Sequence, residues 1–437
     1  MARSSPLGGG ISRRQFLGAT ATAGAATVLA PRLAFAAPQQ ASEPSGASSD
    51  VLVLLFLRGG ADGLSLVAPF AMGGYHDLRP SIAVQEPGET GGALPLEAGG
   101  NVGSFAHSGT FGLHPRLQRL WDGPWASGDL AIVHAAGLPG TESATRSHFE
   151  AMRHWESGTA DLGVNSGFLN RYLNAAGATL GITGVGNGTG VPRSLSGPVG
   201  TYAIADPAQF ALGGFSDPNL ARGVLGSWYG TDATDPVRNS GHDALEALAR
   251  VQSVPWASPA LAVQNGATYP NTALGRDLRE VAQLIRADVG LRVACVDCGS
   301  WDTHEGMVSN TGVSWFHTMV SDFGDSLAAF AQDLGAAMNA VTLVTMSEFG
   351  RTINENGAGG TDHGRGSVMF AMGSGIRGGV YGDFVSRIED GPEGDLTVCN
   401  DCRTVLSEVL AQRGAATDLG SIFPTYDQRP FLGLCER

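Results

Sequence analysis

Val51-Leu52-Val53-Leu54-Leu55-Phe56-Leu57 is an unbroken apolar run closed by Arg58-Gly59-Gly60. Apolar side chains at every position call for burial on both faces, as on an inner strand of a parallel sheet. Three further runs read the same way: Leu130-Ala131-Ile132-Val133-His134, Leu291-Arg292-Val293-Ala294-Cys295-Val296 and Val341-Thr342-Leu343-Val344-Thr345-Met346. Between them lie helical stripes. Phe316, Met319, Val320, Phe323, Leu327, Phe330 and Leu334 recur at three- and four-residue steps, and Leu278, Val281, Leu284 and Ile285 form a second stripe before the third run. Strands alternating with helices predict right-handed crossovers and a doubly wound α/β sheet. His134, inside a strand, is expected to be a satisfied core residue.

Composition supports a folded domain. The 437 residues are 43% hydrophobic and only 16% charged, enough for a sizeable core and unlike a disordered acidic polymer, while 64 Gly and 22 Pro imply many turns. The chain has no lysine, so all 27 basic residues are arginine. That excludes a Schiff-base lysine, a cofactor-anchoring lysine and a Walker A loop. A net charge of −14 argues against nucleic acid as a partner, since such binding needs a basic footprint.

The amino-terminal segment has a separate purpose. Ser12-Arg13-Arg14-Gln15-Phe16-Leu17, a small-residue run from Gly18 to Ala30 and Ala34-Phe35-Ala36 read as a twin-arginine signal peptide over residues 1–36, cleaved after Ala36. Removing it leaves 23 basic against 41 acidic residues, a net charge of −18. The run is too short and too rich in small residues to be a stable membrane span, and no later segment reads as one. The mature chain is therefore expected in the periplasm or outside the cell, with the twin-arginine translocon as a partner during export. Residues 37–50 form a polar linker. The folded domain is expected over 51–437, with a Gly- and Pro-rich insertion or cap at about 177–270.

In open α/β sheets ligands bind beyond the carboxyl ends of the strands, and there the polar residues gather. The first strand leads into Gly59-Gly60-Ala61-Asp62-Gly63, and the second into Thr145-Arg146-Ser147-His148 at an apparent helix start. The third leads into Trp301-Asp302-Thr303-His304 and the fourth into Ser347-Glu348-Phe349-Gly350-Arg351. A glycine-rich loop adds Gly360-Thr361-Asp362-His363-Gly364. Carboxylates with imidazoles suit a divalent metal such as zinc, manganese, magnesium or calcium. The two Asp/His pairs could hold two ions, with Glu348 as a further ligand. Arg146, Arg351 and Arg365 offer paired donors to a tetrahedral oxyanion or a carboxylate. His114, His148 and His154 read as structural hydrogen-bonders.

Leu57-Arg58-Gly59-Gly60-Ala61-Asp62-Gly63-Leu64, Leu113-His114-Pro115, Arg146-Ser147-His148-Phe149, Trp301-Asp302-Thr303-His304, Ser347-Glu348-Phe349-Gly350-Arg351-Thr352 and Gly360-Thr361-Asp362-His363-Gly364 together resemble the signatures of the domain-of-unknown-function 1501 family, grouped with the alkaline-phosphatase-like superfamily. The resemblance implies a three-layer α/β/α sandwich with a mostly parallel sheet. It also implies an exported, sulfatase-like or phosphatase-like hydrolase acting on a small-molecule or glycan ester. Asp62 would match the metal-binding Asp after the first strand, Ser147 or Thr145 the nucleophile, and Asp302 with His304 and Asp362 with His363 the two pairs. The superfamily adds a histidine downstream, whereas none follows His363 here. That departure favours the other reading, an exported binding or surface protein that keeps the fold without the chemistry.

Cys295-Val296-Asp297-Cys298 and Cys399-Asn400-Asp401-Cys402 are two CxxC units, open to disulfides, buried free thiols or structural zinc.

Overall fold

The computed structural model describes residues 50–96, 109–140, 145–178, 181–213, 215–230, 235–308, 313–388 and 394–436. The expected signal peptide, residues 1–36, and the expected linker up to residue 49 lie outside the described residues.

Twelve strands are described: β1 Val51–Leu57, β2 Val67–Ala68, β3 Leu94–Pro95, β4 Gly112–Leu113, β5 Leu130–Gly137, β6 Gly184–Asn187, β7 Tyr202–Ala203, β8 Val293–Cys298, β9 Val341–Met346, β10 Ser367–Met372, β11 Gly379–Tyr381 and β12 Asn400–Asp401. Nine of them build the main sheet, in the order β11-β5-β10-β9-β1-β8-β6-β7, with β12 also paired to β5. The β2, β3 and β4 pairs form a small separate sheet. In the main sheet only β10 is antiparallel to its neighbours; every other pairing is parallel. β1, β5, β8 and β9 therefore all point one way, and β10 begins at the edge where they end.

β1 demonstrates the three-layer build. Val53, Leu55 and Leu57 join one core, while Leu52, Leu54 and Phe56 join the other. On the first face lie the Ala273–Arg286 and Trp315–Leu334 helices, which contribute Leu278, Val281, Phe316, Val320, Phe323 and Phe330. On the second lie the Phe168–Ala175 and Cys402–Gln412 helices, through Tyr172, Leu173, Val405 and Val409. Each fully buried side chain of this size contributes about 1.5–3 kcal/mol. The result is the expected α/β/α sandwich with a mostly parallel sheet.

Three features depart from the sequence reading. β10 is an additional inner strand. The stretch at about 177–270 is not wholly an insertion, because β6 and β7 extend the main sheet. Finally, Cys295 and Cys298 stand three residues apart on β8, so they face opposite cores, out of reach of a shared bridge or ion. All five cysteines are free. Burial pushes the Cys298 thiol up to about 12, which leaves it protonated and inert.

No helix among the described residues is long and apolar enough to cross a membrane.

Candidate metal centre

The loops at the common strand edge are stitched together by one buried arginine. Arg351 donates from Nε to the Gly60 carbonyl (2.7 Å) and from Nη1 to the Thr361 carbonyl (3.2 Å). Its Nη2 reaches the Trp301 carbonyl (3.0 Å), Asp302 Oδ1 (2.5 Å) and the Gly59 carbonyl. Segments following β1, β8 and β9 and the loop into β10 thereby converge. Ser347 tightens the same junction, accepting from Ala61 N–H (2.8 Å) and donating to the Leu57 carbonyl (2.8 Å).

Three imidazoles meet over this platform. His148 Nε2 lies 3.1 Å from His363 Nε2, and His304 Nε2 lies 3.0 Å from the same atom. Asp302 Oδ1 stands 3.1 Å from His363 Nε2 and 3.0 Å from His304 Nε2, and its Oδ2 is 3.6 Å from His148 Nε2. His148, Asp302 and His363 form a metal-competent group, each offering a ligand atom within 4.8 Å of the others.

The remaining ring nitrogens fix the tautomers. His148 Nδ1 bonds Glu348 Oε1 (2.9 Å), which also accepts Gly59 N–H (2.7 Å). His304 Nδ1 bonds Asp362 Oδ1 (2.8 Å), and His363 Nδ1 bonds the Arg146 carbonyl (2.8 Å). These acceptors place the proton on every Nδ1 and leave the Nε2 lone pairs facing one another and a carboxylate. Such a cluster of electron pairs calls for a cation. Among His148, Asp302 and His363 the 3.1–3.6 Å spacings are close to the edge of a tetrahedron, roughly 3.3–3.4 Å for zinc–nitrogen bonds of about 2.0–2.1 Å. Nδ1–H groups pinned by carboxylates or carbonyls are also the usual orienting shell of metal-bound histidines.

The electrostatics agree. Burial holds the His363 ring below its ordinary pKa, outweighing its bonds to the Arg146 carbonyl and Asp302. Partial burial alone would raise the Asp302 carboxyl, but the bond and charge of Arg351, aided by His363, keep it below the usual carboxylate range. The bond from His304 holds Asp362 low as well. Both carboxyls are thus anionic and this imidazole neutral at pH 7, the protonation states a metal site requires.

The expected site residues separate into distinct groups. Asp302 and His363 belong to the metal-competent group, and His304 Nε2 stands 3.0 Å from each of them. Glu348 and Asp362, expected as ligands, instead orient His148 and His304. Asp62, expected as the ligand after the first strand, is fully buried and committed elsewhere. It accepts from Arg79 Nη1 (2.9 and 3.0 Å) and Thr361 Oγ1 (3.2 Å), and caps the Gly63–Leu66 helix through Ser65 N–H (3.0 Å). The two Asp/His pairs meet in one cluster, through the His304 Nε2–His363 Nε2 approach of 3.0 Å. His148, read as a structural hydrogen-bonder, belongs to the group; its only sequence signal was the Arg146-Ser147-His148-Phe149 motif.

Thr145, Arg146 and Ser147 immediately precede the His148–Ser157 helix. Thr145 Oγ1 donates to Glu150 Oε2 (2.7 Å) and accepts Ser147 N–H (3.1 Å). Arg146 bonds the His363 carbonyl and both Asp395 oxygens (3.0 and 3.2 Å). Arg365 Nε pairs with Asp395 as well (3.2 Å). Ser147 is the exposed N-cap residue, and its side chain makes no capping bond.

Residues 273–407 match the family model described as "Protein of unknown function (DUF1501)", so the resemblance drawn from the motifs is borne out there. The chain is similar to Ps i-CgsB, solved in complex with k-i-k-neocarrahexaose, at 11% identity over 86% of this chain and 74% of that one, with a TM-score of 0.36. It is similar to the alkaline phosphatase from the Antarctic bacterium TAB5 at 10% identity over 76% and 95% of the two chains, TM-score 0.31. It is also similar to PsFucS1 sulfatase from Pseudoalteromonas sp. at 11% identity over 81% and 70%, TM-score 0.32. Comparison with curated proteins finds no match.

Proposed function

We propose that this chain, whose residues 273–407 match the DUF1501 family model, holds a divalent metal ion on His148, Asp302 and His363, with His304 beside them, and hydrolyses phosphate or sulfate esters of a small molecule or glycan. The observation that carries this reading is the convergence of the His148 and His363 Nε2 atoms and the Asp302 carboxylate, with the Nδ1 of each ring held by an acceptor. Imidazole nitrogens beside a carboxylate suit zinc or manganese better than magnesium or calcium, which prefer oxygen ligands. Such an ion, when bound, supplies Lewis-acid polarisation of an ester oxygen.

The chain's own groups complete the arrangement. Ser147 adjoins His148 with its hydroxyl unspent on capping, and it is the proposed attacking group, dependent on a base or metal for activation. The N–H groups of the following helix turn offer hydrogen bonds to an oxyanion. Thr145 is the second choice, because its hydroxyl already bonds Glu150.

A screen of aryl phosphates and sulfates, paired with elemental analysis of protein from its native host, tests the proposal. Ser147→Ala should lose most turnover while keeping its melting temperature and metal. Unchanged turnover would remove Ser147 and leave Thr145 or water as the attacking group. A non-catalytic binding protein is the second reading, favoured because Arg146, Arg351 and Arg365 already bond carboxylates or carbonyls. Metal without turnover would assign it.

Export through the twin-arginine pathway, to the periplasm or beyond, is part of the same proposal and rests on Arg13-Arg14 and Ala34-Phe35-Ala36. Replacing Arg13 and Arg14 together with Lys should leave unprocessed precursor in the cytoplasm; normal export through that translocon would contradict it.

A further inference from the structure

Phe149 is 86% exposed, the largest exposure among the described large apolar side chains that stand out in solvent. It directly follows His148 and lies two residues beyond Ser147. The helix they begin turns Ala151 and Trp155 inward, whereas Phe149 makes no aromatic contact among the described residues. A second apolar group stands beyond His304. Trp315 is 44% exposed, with Val308 and Val313 nearby in sequence at 38% and 56%, and a Cβ built on Gly306 would come within 3.0 Å of Trp315 Nε1. Single exposed apolar residues are ordinary. Here, however, the most exposed ring adjoins a histidine of the polar centre, and other apolar side chains follow on the segment beyond His304.

We infer that Phe149 is a substrate-recognition residue, a stacking platform for the flat apolar face of the organic group that carries the oxyanion. That face is an aryl ring or the C–H face of a saturated ring such as a sugar. This inference rests on the proposed anion-binding reading of the metal centre. The centre would grip the charged end, while Phe149 would select the ring attached to it. Ring–ring contacts of this kind are worth about 3- to 10-fold in affinity.

The test is calorimetric titration of the zinc-loaded full chain with methyl-, cyclohexyl- and phenylphosphonate, which are not hydrolysed. The ring-bearing probes should bind about 3- to 10-fold more tightly than methylphosphonate. Phe149→Ala should abolish that preference and Phe149→Trp retain it, all with equal zinc content. Preference for phenyl over cyclohexyl specifies an aryl substrate, and equal binding of the two a saturated ring. Absence of the preference in the unaltered chain, or its survival in Phe149→Ala, overturns the inference alone. Failure of every probe to bind overturns the anion-site reading and this inference with it. Selective binding without ester turnover sustains the inference while removing the hydrolase.

Discussion

His148 and His363 bring their Nε2 atoms within 3.1 Å of each other, although each ring's proton is drawn to the opposite nitrogen by Glu348 or the Arg146 carbonyl. Two imidazole lone pairs held face to face repel unless a cation sits between them. The pairing is therefore sustained by what surrounds it. Phe349 packs against both rings, with centroids 4.9 Å from His148 and 4.7 Å from His363.

Ligands and orienting residues should differ in the size of their effects. His148→Ala and His363→Ala each delete a nitrogen donor and should abolish stoichiometric zinc binding in competition with a chelator. Glu348→Gln keeps the shape but weakens the hold on His148 Nδ1, and should cost about 10- to 100-fold in affinity. Asp362→Asn should behave similarly through His304. Equal losses for all four substitutions would show that Glu348 and Asp362 are ligands after all.

How far the site was legible follows from the same division. β1 and β9 were readable to their last residue because continuous apolar runs announce strands buried on both faces. β10 escaped because Ser367 to Met372 follows a glycine-rich loop and runs antiparallel, against the alternation expected of a doubly wound sheet. β6 and β7 are short, and Gly184 and Gly186 in β6 break any apolar pattern; a Cβ at Gly186 would lie 2.5 Å from Pro192. Asp302, His304 and His363 were visible as residue types at strand ends. The orienting role of Glu348 was not, since it depends on a contact with His148 across 200 positions. Asp62 misled because an acid after a first strand looks the same in sequence whether it faces a metal or a buried arginine.

Asp62→Asn separates those two cases. Arg79 and Asp62 are both almost completely buried and paired at 2.9 Å, so removing one charge strands the other. The variant should lose about 3–5 kcal/mol of stability in urea titrations, and its folded fraction should keep full zinc content. Loss of zinc from folded protein would restore Asp62 to the metal site.

Acid should destabilise the fold through two buried histidines outside the candidate centre, His134 and His114. Burial lowers His134 to about 4, against its bond to the Val67 carbonyl (2.8 Å), and lowers His114 to about 3. Both are neutral in the folded chain and become protonated in the unfolded chain below about 6.5. Stability is then fully present above that pH and declines as pH falls, to about 4 for His134 and about 3 for His114. Each contributes up to about 1.4 kcal/mol per pH unit. With chelator present, His134→Gln should be less stable at pH 7.5 yet show a shallower loss between pH 6.5 and 4. Parallel curves would mean that His134 titrates normally.

Gly59 tests whether backbone proximity builds the centre. Its φ of +122° lies in the region that favours glycine, and a Cβ there would come 2.4 Å from the Asp302 nitrogen and 2.8 Å from the Trp301 carbonyl carbon. Its N–H also holds Glu348, and its carbonyl receives Arg351. Gly59→Ala should therefore combine about 1–3 kcal/mol of backbone strain with displacement of Asp302, so that stability and zinc affinity fall together. Gly88 is the matched control, with a φ of +92° and nothing within 4 Å of a built Cβ. Gly88→Ala should show the strain alone, with zinc affinity unchanged. If Gly59→Ala also leaves zinc affinity intact, Asp302 does not depend on this close approach, and its bond from Arg351 Nη2 suffices to keep it at the centre.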